Sequence, residues 1–262
     1  MTVTRRLLIV SALLAGSIGV AAAQDKPVMP SCDALAAAVN AVARNDARVR
    51  DWGNVARYKE VNRTLEPPKP GEARVVFMGD SITDAWPQPR YGTFFTGKPY
   101  VGRGIGGQTT PQMLLRFRPD VIDLKPKVVV ILAGTNDIAG NTGPYSNEEI
   151  QGNLQSMAEL AKSNGIKVVL SSILPVSAYH QAPAAPLPQT SLRPMARIRA
   201  MNDWMKSYAA ANGHVYLDYF SAMVDGTGHL GTELSEDDLH PNAKGYAIMG
   251  PLAEAAIEKA VK

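Results

Sequence analysis

The sequence predicts an α/β fold in which a parallel sheet is covered by helices on both faces. Three observations carry this expectation. From about residue 73 onward, five short apolar runs alternate with longer segments of helical periodicity. Two of the runs, "KVVVILAG" (127–134) and "IKVVLSSILP" (166–175), are apolar almost without interruption, the pattern of strands buried on both faces. Polar or glycine-rich clusters follow the runs, at the carboxyl strand ends where the loops of such folds work.

Taken in order, the first 23 residues stand apart. "MTVTRR" is a short basic start, "LLIVSALLAGSIGV" is apolar, and the small residues Ala21 and Ala23 follow. A run this short with these flanks predicts an exported chain, periplasmic or secreted, with signal cleavage after Ala23 rather than a membrane anchor. Cys32, the single cysteine, lies well beyond that run and lacks the small-residue context of lipid attachment. It can form no internal disulfide and is expected half-buried in the first helix. Residues 24–31 read as a polar leader and 32–66 as a helical prefix. Leu35, Val39 and Val42 recur at helical spacing, and Val49, Trp52, Val55, Tyr58 and Val61 recur every three residues. "RND" at 44–46 marks a break between two helices. "EPPKPGEA" (66–73) ends the prefix, because consecutive prolines cannot continue a helix. The expected division is therefore signal 1–23, leader and prefix 24–72, and one α/β domain 73–262. Its strands are "RVVFMG" (74–79), "YVGRGI" (100–105), the two runs above and "HVYLDYF" (214–220); its helices lie near 109–118, 147–164, 195–212 and 242–260.

The 262 residues are 45% hydrophobic and 19% charged, enough to bury one sizeable core. The formal charge of +3 falls by two when Arg5 and Arg6 leave with the signal. A near-neutral mature chain has no electrostatic footprint for nucleic acid and none for stable association with an anionic membrane.

The strand ends carry the chemistry. "GDSIT" follows the first strand, "GIGGQTT" (104–110) the second, "GTNDI" (134–138) the third, and "DDLHPN" (237–242) comes after the fifth. A serine needs a base to become a nucleophile. His240 can be that base for Ser81, with Asp237 or Asp238 close enough in sequence to hold its Nδ1. Acyl transfer also needs donors for a developing oxyanion, and three are in place: the Ser81 amide, the Gly107 amide and the Asn136 side chain. Asp80 and Asp137 read as turn-holding carboxylates, Thr109 and Thr110 as helix caps, and Asp84 and Trp86 as structural or pocket-wall residues. The long proline-rich segment 175–194 follows the fourth strand, which places Tyr179, His180 and Arg193 as candidate substrate contacts.

The order "GDS", "GIGG-TT", "GTND", "D-x-x-H-P-N" resembles the SGNH (GDSL) hydrolase superfamily, and within it bacterial esterases similar to platelet-activating factor acetylhydrolase. The resemblance covers about residues 73–260. It implies a flavodoxin-like three-layer α/β/α sandwich around a parallel five-stranded sheet. It also implies the catalytic set Ser81, Asp237 and His240, with Ser81, Gly107 and Asn136 as the oxyanion hole and no cofactor or metal. The family spacing of three selects Asp237 over Asp238. Isoleucine replaces the usual leucine after "GDS". Gly102 stands where the second block often has asparagine, and Arg103, next to it, joins the candidate substrate contacts.

The expected reaction is hydrolysis of short acyl esters, acetyl first and carbohydrate esters among them, through an acyl-enzyme. A lysophospholipase or thioesterase could run on the same residues. Two rivals differ in class. Asp80, Asp84, Asn136, Asp137, Asp238 and His240 can be sorted as ligands of a two-metal phosphoesterase, but such sites want more imidazoles at strand ends. An exported carbohydrate-binding protein on the same fold would have no need of a base beside a hydroxyl.

Overall fold

The structure is a computed structural model that describes residues 31–92, 94–180 and 187–262, apart from the side chains of 43–48. The expected signal, residues 1–23, and the middle of the proline-rich loop lie outside the described residues. The elements in chain order are α1 (Cys32–Arg50), a 3₁₀ turn (Val55–Tyr58), α2 (Lys59–Thr64), β1 (Val75–Gly79), α3 (Ser81–Ala85), β2 (Tyr100–Gly104), α4 (Thr110–Asp120) and β3 (Val128–Leu132). There follow α5 (Thr135–Ile138), α6 (Asn147–Ser163), β4 (Lys167–Ser171), α7 (Gln189–Leu192), α8 (Met195–Asn212), β5 (Val215–Leu217), α9 (Phe220–Met223) and α10 (Ala243–Val261).

The five strands form one parallel sheet in the order β2-β1-β3-β4-β5. Side chains alternate across it. Val76, Met78, Val129 and Ile131 face a layer that includes Met113 and Phe117 of α4, Leu154 of α6 and Met201 of α8. Val75, Phe77, Val128 and Val130 face the other way, against Ile82 and against Tyr246, Met249 and Ile257 of α10. Both faces are covered, which is why β3 and β4 read as nearly unbroken apolar runs. The chain leaves β1 for β2 on one side and returns to β3 on the other. The carboxyl ends of β1 and β3 therefore flank a topological switch point, where such sheets hold their ligands.

Two compact units are distinguished, residues 1–45 and 46–262. In the first, the described residues are helical from Cys32, and Cys32, Leu35, Val39 and Val42 are exposed. Cys32 is therefore not the half-buried residue expected. The break expected at 44–46 is also absent: α1 runs through it, and the chain turns instead at 51–54, where Asp51 accepts from the Val55 and Ala56 amides. The second unit takes in the rest of the prefix together with the sheet. Gln108 donates to the Gly53 carbonyl (2.8 Å), Asn62 donates to Asp120 (2.7 Å), and the Tyr58 hydroxyl donates to the Gly104 carbonyl. Polar side chains thus fasten the 51–64 segment to the end of β2, a contact invisible to hydrophobic periodicity.

Candidate active site

Four strand-end loops build the site. β1 ends at Gly79, in register with Gly104 of β2 and Leu132 of β3. The chain then turns into α3, with Asp80 as its N-cap accepting from the Ile82 amide (3.0 Å). Ser81 opens that helix. Gly104 is required here: a Cβ on it would meet the Asp84 nitrogen at 2.1 Å and the Asp80 carbonyl oxygen at 2.7 Å. The α3 turn can lie on the end of β2 only because nothing projects from that glycine. Gly107, two residues past Ile105, holds φ +76, a left-handed conformation natural to glycine.

Ser81 Oγ lies 2.9 Å from His240 Nε2, and His240 Nδ1 lies 2.6 Å from Asp237 Oδ2. Asp237 Oδ1 also accepts from the His240 amide (2.7 Å) and the Leu239 amide (3.1 Å). The carboxylate therefore grips both ends of the His240 residue and fixes the ring's direction. Burial raises the Asp237 pKa, but the hydrogen bonds from the His240 ring and backbone outweigh that and hold it well below the usual carboxylate range. Pro241 follows, and Asn242 caps α10 by accepting from the Lys244 and Gly245 amides (3.0 and 3.2 Å).

On the other side of Ser81, a Cβ on Gly106 would stand 3.8 Å from the Ser81 Cβ. The Gly106 amide donates to Asp84 (3.3 Å), and the Gly107 carbonyl accepts from Asn141 (3.1 Å). No acceptor for the Ser81 or Gly107 amide is found among the described residues. Asn136 is 3% exposed and donates through Nδ2 to the Gln108 carbonyl (3.0 Å), tying the third loop to the second. Asp137 accepts from the Thr110 amide (2.9 Å) and hydroxyl (2.5 Å), so it orients the loop after β3 as expected. Burial pushes the Asp80 carboxyl up to about 6.

The model of the GDSL-like lipase/acylhydrolase family matches residues 77–248, well over half of the chain. The chain belongs to that family. Among curated proteins, the hydrolase is 28% identical over 203 residues to the platelet-activating factor acetylhydrolase IB subunit alpha2 of Rattus norvegicus, covering 75% of this chain and 82% of that protein. It is 42% identical to the uncharacterized lipoprotein YqeF of Bacillus subtilis (strain 168), but over 79 residues only, 29% of this chain and 32% of that one. Among solved structures, a GDSL-like lipase from Bacteroides thetaiotaomicron VPI-5482 is 44% identical with a TM-score of 0.72, covering 79% of this chain and 98% of that one. The hydrolase is accordingly a serine ester hydrolase of the SGNH superfamily.

The candidate substrate contacts fare differently from the strand-end set. Arg103 is 4% exposed. Its guanidinium donates to Asn62 (2.9 Å) and to the Gly102 carbonyl and stacks over Tyr58, so it packs the prefix rather than facing a cleft. The hydroxyl of Tyr179 donates to Asp225 (2.6 Å). His180 pairs through Nδ1 with Asp238 (3.2 Å) and through Nε2 with Thr232 (3.3 Å). Both side chains hold the loop after β4, and Tyr179 remains 47% exposed. Trp86 is buried edge-on to Phe77, with ring centroids 5.9 Å apart.

One brace escaped the sequence. Arg116 has no exposed surface, and its guanidinium donates to the Gly79 carbonyl (2.9 Å), the Arg103 carbonyl (2.9 Å), Gln108 (2.5 Å) and Asp120 (3.0 Å). It thereby fixes the ends of β1 and β2, from which Ser81 and Gly107 extend. The available signal was Arg116 and Asp120 four apart on the same helix face as Met113 and Phe117.

Proposed function

We propose that this hydrolase cleaves short-chain acyl esters, acetyl esters foremost, of polar alcohols such as carbohydrates. The reading rests on one observation: Ser81 Oγ, the His240 ring and the Asp237 carboxylate are joined in line at 2.9 and 2.6 Å. Ser81 Oγ attacks the ester carbonyl while His240 Nε2 takes its proton. The carbonyl oxygen becomes an oxyanion, held by the Ser81 and Gly107 amides and the Asn136 side chain. His240 then returns the proton to the leaving alcohol, and Ser81 keeps the acyl group. Water, deprotonated by the same imidazole, releases the acid and restores the serine. Asp237 keeps Nδ1 protonated throughout, and no step calls for a cofactor or metal.

Because His240 must hand its proton to the leaving oxygen, the alcohol belongs on the His240 side of Ser81. There a cleft of about 400 Å³ is lined by Gln88, Arg90, Tyr91, Glu236 and Asn242 among others. Its walls offer hydrogen bonds and both signs of charge, which suits a polyhydroxylated alcohol better than an alkyl chain. Beyond Gly107 a second cleft of about 780 Å³ runs beside Trp52, Asn54, Gln112 and Asn141. The basic and apolar start of the chain, ending at Ala21 and Ala23, supports export and cleavage after Ala23, with residues 73–262 as the catalytic domain.

The test is hydrolysis of p-nitrophenyl esters from acetate to dodecanoate by the wild type and by Ser81→Ala, with EDTA present. Turnover that survives EDTA, vanishes in the variant and falls steeply with acyl length is the expected result. Equal turnover by both proteins would remove Ser81 from the chemistry, and a maximum at long acyl chains would replace the acetylesterase reading with a lipase-type one.

A further inference from the structure

Arg193 follows α7 and is 4% exposed, so the sequence expectation that it touches substrate does not hold. Its guanidinium is turned instead to the back of the loop after β3. Nε donates to the Thr135 hydroxyl (3.0 Å), Nη2 donates to Asn136 Oδ1 (3.3 Å), and Nη1 donates to Gln189. The Asn136 amide is thus clamped from two chemically unambiguous sides. A guanidinium only donates, so the atom facing it must be the amide oxygen. The Gln108 carbonyl only accepts, so the atom facing it must be the amide nitrogen. Both assignments agree. One Nδ2 hydrogen is used on Gln108, and the other is left to donate.

We propose that Arg193 is a positioning residue for the oxyanion hole: it fixes and polarises the Asn136 amide so that its remaining Nδ2 hydrogen is presented to the developing charge. This inference rests on the reading of Asn136 as an oxyanion donor. A buried cation is costly unless charges nearby compensate it. Asp80 and Asp237 supply that compensation, while burial itself lowers the pKa of Arg193. The guanidinium therefore stays a fixed positive charge behind the amide, where no reorganisation is needed as the oxyanion forms. Lysine cannot replace it, since a single ammonium cannot hold the planar fork to Thr135 and Asn136 together.

A double-variant cycle on p-nitrophenyl acetate tests this, using the full mature chain. Asn136→Ala is expected to lower kcat about 10²- to 10³-fold, as loss of one oxyanion donor does. Arg193→Ala is expected to lower kcat about 10- to 100-fold with KM changed less than about threefold, the mark of an interaction made in the transition state. In the Asn136→Ala background the same change is expected to cost less than about threefold, because the group it positions is gone. Guanidinium ion added to Arg193→Ala should recover part of kcat, and should recover none in the double variant. If Arg193→Ala does not fold, Arg193→Lys is read instead, with a loss of about tenfold in kcat expected at a nearly unchanged melting temperature. Native kcat in either Arg193 variant, or an equal loss with and without Asn136, would overturn the inference while leaving the oxyanion hole standing. Native kcat in Asn136→Ala would overturn the oxyanion reading itself.

Discussion

Two consecutive aspartates each hold an imidazole by its Nδ1, and the two pairs do different work. Asp237 grips His240 at 2.6 Å, and the free Nε2 of that ring meets Ser81 Oγ. Asp238 is 2% exposed, with φ +68, and meets His180 at 3.2 Å. It also accepts from the Ser177 hydroxyl (2.6 Å) and the amides of Tyr179 and His180 (both 2.9 Å). Burial raises its pKa, and these donors more than offset it, so the carboxylate stays ionised below its usual range. The Nε2 of His180 ends on Thr232. An Asp–His pair is therefore not a site in itself. What distinguishes the pairs is the partner of the second ring nitrogen: a hydroxyl at the end of β1 in one case, a surface threonine in the other.

Exchanging the imidazoles should separate the pairs most widely. His240→Ala is expected to lower kcat by about 10⁴- to 10⁶-fold, whereas His180→Ala stays within about threefold of wild type. Steady-state kinetics on p-nitrophenyl acetate reads both, and comparable losses would erase the distinction. The carboxylates come next. Asp237→Asn keeps the shape but offers an amide hydrogen where the ring's Nδ1–H must donate, and kcat should fall about 10²- to 10⁴-fold at a similar melting temperature. Asp238→Asn should do the reverse, costing about 1–3 kcal/mol of stability because donors around a buried acceptor lose their match, with kcat little changed. Urea unfolding alongside kinetics checks the crossing; a stability loss confined to Asp237→Asn would invert it.

The last prediction concerns Asp80, a buried carboxylate that has no imidazole clamp. Its pKa, about 6 when folded, lies above its ordinary value of 3.8. Between those values the folded protein holds a proton that the unfolded chain releases, so Asp80's contribution to stability falls as pH rises through that window. At 1.36 kcal/mol per unit the fall is at most about 3 kcal/mol. Asp80→Asn keeps an acceptor for the Ile82 amide and removes the titration. The variant should gain on wild type between pH 4 and 6 and then run parallel to it in thermal melts. A difference independent of pH would show that Asp80 stays ionised throughout.

Much of the sheet was readable because its signal is local. Runs such as "KVVVILAG" reflect burial on both faces, and Gly79, Gly104 and Gly134 mark where strands give way to turns. The four strand-end clusters, in order, carry the expectation for Ser81, Gly107, Asn136, Asp237 and His240, and the fold brings Ser81, His240 and Asp237 into hydrogen-bond contact. Arg103, Tyr179, His180 and Arg193 were read as substrate contacts because polar residues near a site look alike in one dimension. Three-dimensional packing buries Arg103 against the prefix and Arg193 behind Asn136, and ties the exposed Tyr179 and His180 to the loop after β4. The prefix break lies elsewhere for a related reason: "RND" is polar, but polarity alone does not end a helix, and α1 runs on to Arg50.

By itself the sequence determined the α/β class, the strand and helix order and the identity of the strand-end residues, since all of these follow from periodicity and short motifs within one stretch of chain. Only the tertiary structure decided which groups meet. Ser81 and His240 are 159 residues apart, Arg193 and Asn136 are 57 apart, and Arg116 reaches Gly79 across 37. Such contacts are fixed by how the sheet orders its strands and by which buried polar atoms must find partners, and neither condition is written in any single segment.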